Sequence, residues 1–192
     1  MPSDGGPAVQ LTTGEGTDFY PSWSPDNRNI AFSSSRAGGG HIFVMPSTGG
    51  EARQVTTGST WEFFPEWSPD GTRLAFTSNR DDGIYRLWWV PPSGGSPRRL
   101  TQGPAMFFRW SPDGKRIYFE PPGFPLSSVQ LRGRGDVWEL TLADGKERQV
   151  TRLSGRPGGM GNMAVGEHDL YFTWEVGLGD IWVMDVVTPK NE

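Results

Sequence analysis

The chain has 192 residues, a net charge of −4 and a predicted pI of about 5.2, which leaves no basic field for a phosphate backbone, so nucleic acid is not an expected partner. Gly 27 and Pro 17 stand beside nine Trp, eleven Phe and four Tyr, a combination that excludes disorder and points to many short strands and turns. Cysteine is absent, which excludes disulfides and thiolate metal sites; no run of about 18 apolar residues offers a membrane span, and residues 1–10 show no signal peptide.

In chain order, Ala8-Val9-Gln10-Leu11-Thr12 matches the closing strand of a repeated unit rather than its first. The first full unit contains Trp23-Ser24-Pro25-Asp26, the apolar triplet Ile30-Ala31-Phe32 and the segment His41-Ile42-Phe43-Val44-Met45, and closes with Arg53-Gln54-Val55-Thr56. The second repeats this order: Trp67-Ser68-Pro69-Asp70, Leu74-Ala75-Phe76, Arg86-Leu87-Trp88-Trp89-Val90, Arg98-Arg99-Leu100-Thr101. The third follows with Trp110-Ser111-Pro112-Asp113, Ile117-Tyr118-Phe119, Asp136-Val137-Trp138-Glu139-Leu140 and Arg148-Gln149-Val150-Thr151. A fourth keeps Leu170-Tyr171-Phe172 and Asp180-Ile181-Trp182-Val183-Met184 but lacks the Trp signature.

The signature Trp residues are 44 and 43 residues apart. Each segment is short, rich in β-branched or aromatic residues and bounded by turn formers, the signal of a strand. In Ser-Pro-Asp-Gly the Pro presets φ, the Asp bonds nearby backbone and Gly71 or Gly114 takes φ > 0; Asn27 stands in for Gly in the first unit. Four strands in about 44 residues make one propeller blade. The expectation is an all-β protein, a β-propeller of four-stranded antiparallel blades with four blades' worth in one domain, 1–192. The blades are expected near 13–56, 57–101, 102–151 and 152–187, with residues 8–12 closing the last. A four-bladed ring, an eight-bladed ring from a homodimer and a part of a longer propeller all remain open.

The blocks Tyr20-Pro21-Ser22-Trp23-Ser24-Pro25-Asp26 and Phe64-Pro65-Glu66-Trp67-Ser68-Pro69-Asp70-Gly71, with the closing Val-Thr or Leu-Thr, resemble the TolB-type propeller repeat over residues 8–187. The fourth unit is similar to the C-terminal end of kinase-linked propellers of this type. The resemblance implies a binding protein outside the cytoplasm, periplasmic as TolB is. Similar repeats also form sensor regions of bacterial serine/threonine kinases and propellers that gate prolyl-oligopeptidase-like peptidases.

No Gly-x-Ser-x-Gly elbow, His-Glu-x-x-His pair or P-loop occurs, so no catalytic residue, metal site or cofactor is expected. His41 and His168 read as exposed strand-end and turn residues. Asp26, Asp70 and Asp113 recur in every turn, as do the Trp residues in every blade, and repetition argues for structure. Function is therefore expected where the repeats differ: Asp18, Phe19, Trp61, Glu62, Phe63, Met106 and Phe107 ahead of the signature, and Arg132 and Arg134 in the longer third unit, residues 121–135. Aromatic and acidic groups near a channel mouth suit a protein or peptide partner. Ser22, Glu66 and Arg109, which vary in charge just before Trp, are expected to face the axis. The alternatives are a propeller accompanying an enzyme and a designed or truncated repeat array without a ligand.

Overall fold

Strands covered on both faces are near-continuous apolar runs, and the triplet of each repeat is such a run. In the computed structural model, which describes residues 5–122, 135–153, 155, 159–176 and 180–187, the strands form four antiparallel sheets. The first sheet is β1 (Asp18–Trp23), β2 (Asn29–Ser34), β3 (His41–Pro46) and β4 (Arg53–Gln54). The second is β5 (Glu62–Trp67), β6 (Leu74–Ser78), β7 (Arg86–Val90) and β8 (Arg98–Arg99). The third is β9 (Phe108–Trp110), β10 (Arg116–Phe119), β11 (Trp138–Thr141) and β12 (Lys146–Gln149). Among the described residues the fourth has three strands, β13 (Gly159–Val165), β14 (Asp169–Val176) and β15 (Asp180–Val187). Neighbours in sequence are neighbours in each sheet, and no helix occurs among the described residues. The protein is all-β and built of propeller blades.

The turn after each signature Trp is tied by side chains of the signature itself. Ser24 Oγ donates to Asp26 at 2.6 Å and accepts from Asn29 N at 2.9 Å; Ser111 repeats the pair with Asp113 at 2.6 Å and Arg116 N at 2.9 Å. Left-handed φ values of 60°, 71° and 68° at Asn27, Gly71 and Gly114 meet the turn's demand. Hydrogen bonds from Ser68 and Ser111 hold the Asp70 and Asp113 carboxyls below the usual range.

A blade stacks its faces on its neighbours, and three apolar seams result. Ala31, Ile42 and Val44 of the first blade meet Trp67, Leu74, Phe76 and Trp88 of the second. Ala75 and Leu87 meet Ala105, Phe108, Trp110 and Phe119, and Tyr118 and Val137 meet Met160, Met163, Leu170 and Phe172. Trp67 and Trp110 are buried in seams as their repetition implied, whereas Trp23 in the first blade is 52 % exposed.

The closing threonines tie the end of each of the first three blades back to the segment that opens its third strand. Thr56 Oγ1 accepts from Ile42 N at 2.9 Å, Thr101 Oγ1 from Leu87 N at 3.1 Å and Thr151 Oγ1 from Val137 N at 2.8 Å. Residues 8–12 lie in no strand, yet they carry the same local chemistry. The Gln10 side chain donates to Thr12 O at 2.8 Å, as Gln54 does to Thr56 O at 2.8 Å, and Leu11 packs against Ile30, Phe32, Phe43 and Met45.

His41 corrects a sequence expectation. It is buried in the first seam, with Nδ1 3.7 Å from Glu62 Oε2, because the next blade's first strand crosses its end. His168 is exposed, as expected.

Candidate functional site

In the first three blades the residues ahead of the signature Trp recur at the same offsets. Phe19, Phe63 and Met106 stand four residues before it, Tyr20, Phe64 and Phe107 three before, and Ser22, Glu66 and Arg109 one before. β1 and β5 bulge here: their registers shift between Phe19 and Ser22 and between Phe63 and Glu66. Tyr20 and Phe64 take φ of 56° and 55°, a left-handed conformation that costs an aromatic residue about 1–2 kcal/mol. Strain of this kind gathers at binding sites, and these two rings line a cavity of about 520 Å³ together with Phe107, Arg109, Glu120 and Asn162. A second hollow of about 340 Å³ shares Tyr20, Phe64 and Arg109 and adds Ser22 and Glu66.

The rings form a connected row. Tyr20 and Phe64 centroids are 4.1 Å apart, and Phe64 and Phe107 are 5.0 Å apart. Phe63 lies 6.0 Å from Phe19, 5.9 Å from Trp61 in a stacked geometry, and 6.0 Å from Tyr85. Trp61 is 45 % exposed, so its outer face is free for a ligand. Gly40 bridges to Trp61, and a Cβ there would meet the indole at 2.7 Å, so the missing side chain lets the ring lie over this strand end.

The expected residues divide into three sets. Phe107 lines the cavity, and Phe19, Phe63 and Trp61 form the aromatic shelf beside it. Asp18, Glu62 and Met106 are engaged within the protein. Arg36 Nη2 donates to Asp18 at 2.7 Å; burial pushes the Asp18 carboxyl up, but hydrogen bonds from Ser34, Arg36 and Thr12 outweigh it and hold it below the usual range. Glu62 is fully buried and accepts from Thr56 and Arg80. Met106 is buried, its N donating to Glu120 O at 2.9 Å and its O accepting from Thr77. Arg132 and Arg134 lie outside the described residues.

Two carboxyls flank one guanidinium at the cavity. Arg109 Nη1 is 3.7 Å from Glu66 Oε2 and donates to Phe108 O at 2.8 Å. Burial pushes the Glu66 carboxyl up to about 7 against the pull of Arg109. Burial pushes Glu120 up to about 8, again against Arg109. Glu120 is 1 % exposed and its Oε2 has no hydrogen-bond partner among the described residues. Glu120 and Asn162 escaped the sequence reading. The available signal was the residue after each apolar triplet: Ser33, Thr77 and Thr173 are small hydroxyls, and Glu120 alone is charged.

No group of three or more His, Asp or Glu side chains able to hold a metal ion occurs among the described residues, and no helix there is long and apolar enough to cross a membrane.

The sequence model of the Tricorn protease N-terminal β-propeller domain matches residues 1–190. The chain belongs to this family. The Tricorn-type chain is also similar in fold to TolB structures. A protein assigned as TolB from Agrobacterium tumefaciens matches with a TM-score of 0.69 and 23 % identity over 91 % of this chain and 64 % of its own. TolB from Acinetobacter baumannii matches with a TM-score of 0.60 and 22 % identity over 95 % of this chain and 46 % of its own. A puromycin-hydrolyzing peptidase of Mycobacterium tuberculosis matches with a TM-score of 0.66 and 17 % identity over 93 % of this chain and 29 % of its own. The Tricorn-type chain thus spans about half to two thirds of the TolB structures. No curated protein sequence matches it.

Proposed function

We propose that this propeller is a non-catalytic binding module that takes a protein or peptide segment on its aromatic-lined cavity. The supporting observation is the row of Tyr20, Phe64 and Phe107 along that cavity, two of them in strained backbone. Aromatic rings supply large contact area at little conformational cost, and a few polar groups among them set orientation. Arg109, Glu66 and Glu120 are those polar groups. The TolB likeness favours an extracytoplasmic setting for the same role.

The test is selection of heptapeptides from a display library on the purified chain, followed by titration of the best binders. Phe107→Ala is expected to weaken them by about tenfold, as truncating a buried aromatic contact costs about 1–2 kcal/mol. Unchanged affinity in Phe107→Ala and Phe64→Ala, or hydrolysis of the peptides by the chain alone, would defeat the proposal.

A second reading comes from the family description, a propeller of a protease. In it the same cavity receives peptides on behalf of a hydrolase that this chain accompanies. It expects a hydrolase domain in the full gene or a co-purifying hydrolase.

A further inference from the structure

The fourth blade departs from the others where it faces Glu120. By strand register, the place held by Phe19, Phe63 and Met106 in the first three blades is held by Gly161, and that of Tyr20, Phe64 and Phe107 by Asn162. In the second blade, the residue after the triplet, Thr77, ends on a backbone acceptor of the next blade, Met106 O. In the third blade the equivalent residue is Glu120, longer and acidic, and it has no such acceptor bond. A bulky residue of the fourth blade has been replaced by none, and a carboxyl has been placed beside the vacated space. A Cβ at Gly161 would meet Thr173 Oγ1, so a side chain here would have to displace that hydroxyl.

The polar groups around that space are mostly acceptors. Glu120 brings the unpartnered Oε2 and Asn162 an amide, while Thr173 Oγ1 accepts from Asn162 N at 3.1 Å and keeps a second lone pair. Arg109, on β9, is the charged group that acts on Glu120, and its Nη1 donates to Phe108 O and lies 3.7 Å from Glu66 Oε2 on β5. The lining residues of β13 and β14, among them Met160, Asn162 and Thr173, are uncharged. An unpaired buried carboxyl beside acceptors and ring faces is a seat for a cation, which would gain a charge-assisted bond and an aromatic wall together.

We propose that the Glu120 end of the cavity seats a primary ammonium group of the bound segment, a lysine side chain or a free peptide N-terminus. This rests on the peptide-binding reading above and adds the chemical class of the group that anchors it. Burial leaves Glu120 protonated at neutral pH, so docking the ammonium releases one proton to solvent. Affinity therefore rises with pH toward about 8, the Glu120 value, and levels off above it while the amine stays charged.

The experiment uses a peptide selected on the full chain in three synthetic forms: all amines acetylated, only the N-terminus free, and only lysine free. The fully acetylated form is expected to bind about thirtyfold more weakly than the parent, the usual scale for removing one partner of a buried charge pair. Whichever single-amine form keeps the affinity names the source. Glu120→Gln, isosteric and checked for folding by its melting curve, is expected to erase both the difference between forms and the pH dependence. Equal binding of acetylated and free forms overturns the ammonium seat and leaves the peptide reading standing. A selection returning no peptide sensitive to Phe107→Ala overturns the peptide reading itself, and this inference with it.

Discussion

The seam between the first and second blades and the seam between the third and fourth both hold buried glutamates, and Glu62 in one differs from Glu120 in the other. Glu62 sits in the first with every neighbour supplied: Thr56 from the blade before, Arg80 from its own blade, and His41 3.7 Å away. Asp18, one blade earlier, is only half-buried and accepts from Arg36 on one oxygen, while its Oδ1 has no hydrogen-bond partner among the described residues. Glu120 sits in the other seam beside Arg109, whose hydrogen bond goes elsewhere, and its Oε2 is left over. A buried carboxylate with a complete set of donors is part of the scaffold; one without is held at a cost that the fold does not recover by itself. The difference separates two acids that look equally functional as letters.

The largest expected effect breaks the satisfied side. Arg80→Met strands Glu62 and is expected to cost about 3–5 kcal/mol in urea denaturation, the range for uncovering a buried charge. Adding Glu62→Gln is expected to return most of that loss; no recovery would mean that Arg80 acts through its packing on Phe76 and Trp88.

The unsatisfied side predicts the opposite sign. Glu120 has a folded value of about 8 against 4.5 unfolded, so the folded state keeps a proton that the unfolded state releases. Stability is then expected to fall as pH rises from about 4.5 to about 8, and Glu66, at about 7, adds to the slope. Glu120→Gln is expected to gain up to about 5 kcal/mol at pH 9 and nothing below pH 4.5, as measured by denaturation at both pH values. A flat difference across pH would show that Glu120 is already paired.

Smaller effects sharpen the comparison. Thr56→Val orphans Ile42 N and removes a donor from Glu62, an expected loss of about 2 kcal/mol. Ser68→Ala removes the acceptor for Arg73 N and the donor to Asp70 within one turn, an expected loss of about 1 kcal/mol. Thermal melts of both, beside the parent, rank them; a larger loss for Ser68→Ala would make turns, not seams, the controlling element.

The repeat was readable because its devices are local and recurrent. Asn27 at the glycine position of the Ser-Pro-Asp turn and the alignment of Trp67 with Trp110 follow from spacing alone. Glu62 and Asp18 were read as ligand candidates because their partners, Arg80 and Arg36, lie 18 residues away in the turn after the next strand, a distance that no local pattern reveals. His41 failed for a related reason: its burial comes from the next blade. Tyr20 and Phe64 gave no sign of a left-handed backbone, since the bulge that imposes it is a property of strand register. Glu120 was visible in the letters as the odd member of its column, but only the neighbouring Gly161 gives that oddity a meaning.

The threonine that closes the first blade also has a mechanical consequence. Thr56 holds the third strand of its own blade by the backbone and the first strand of the next by Glu62, so it is a rivet through two plates. Pulling on the chain would load that rivet as the first two plates part, and a single-molecule extension trace would show its loosening by Thr56→Val as a lower force for that one separation.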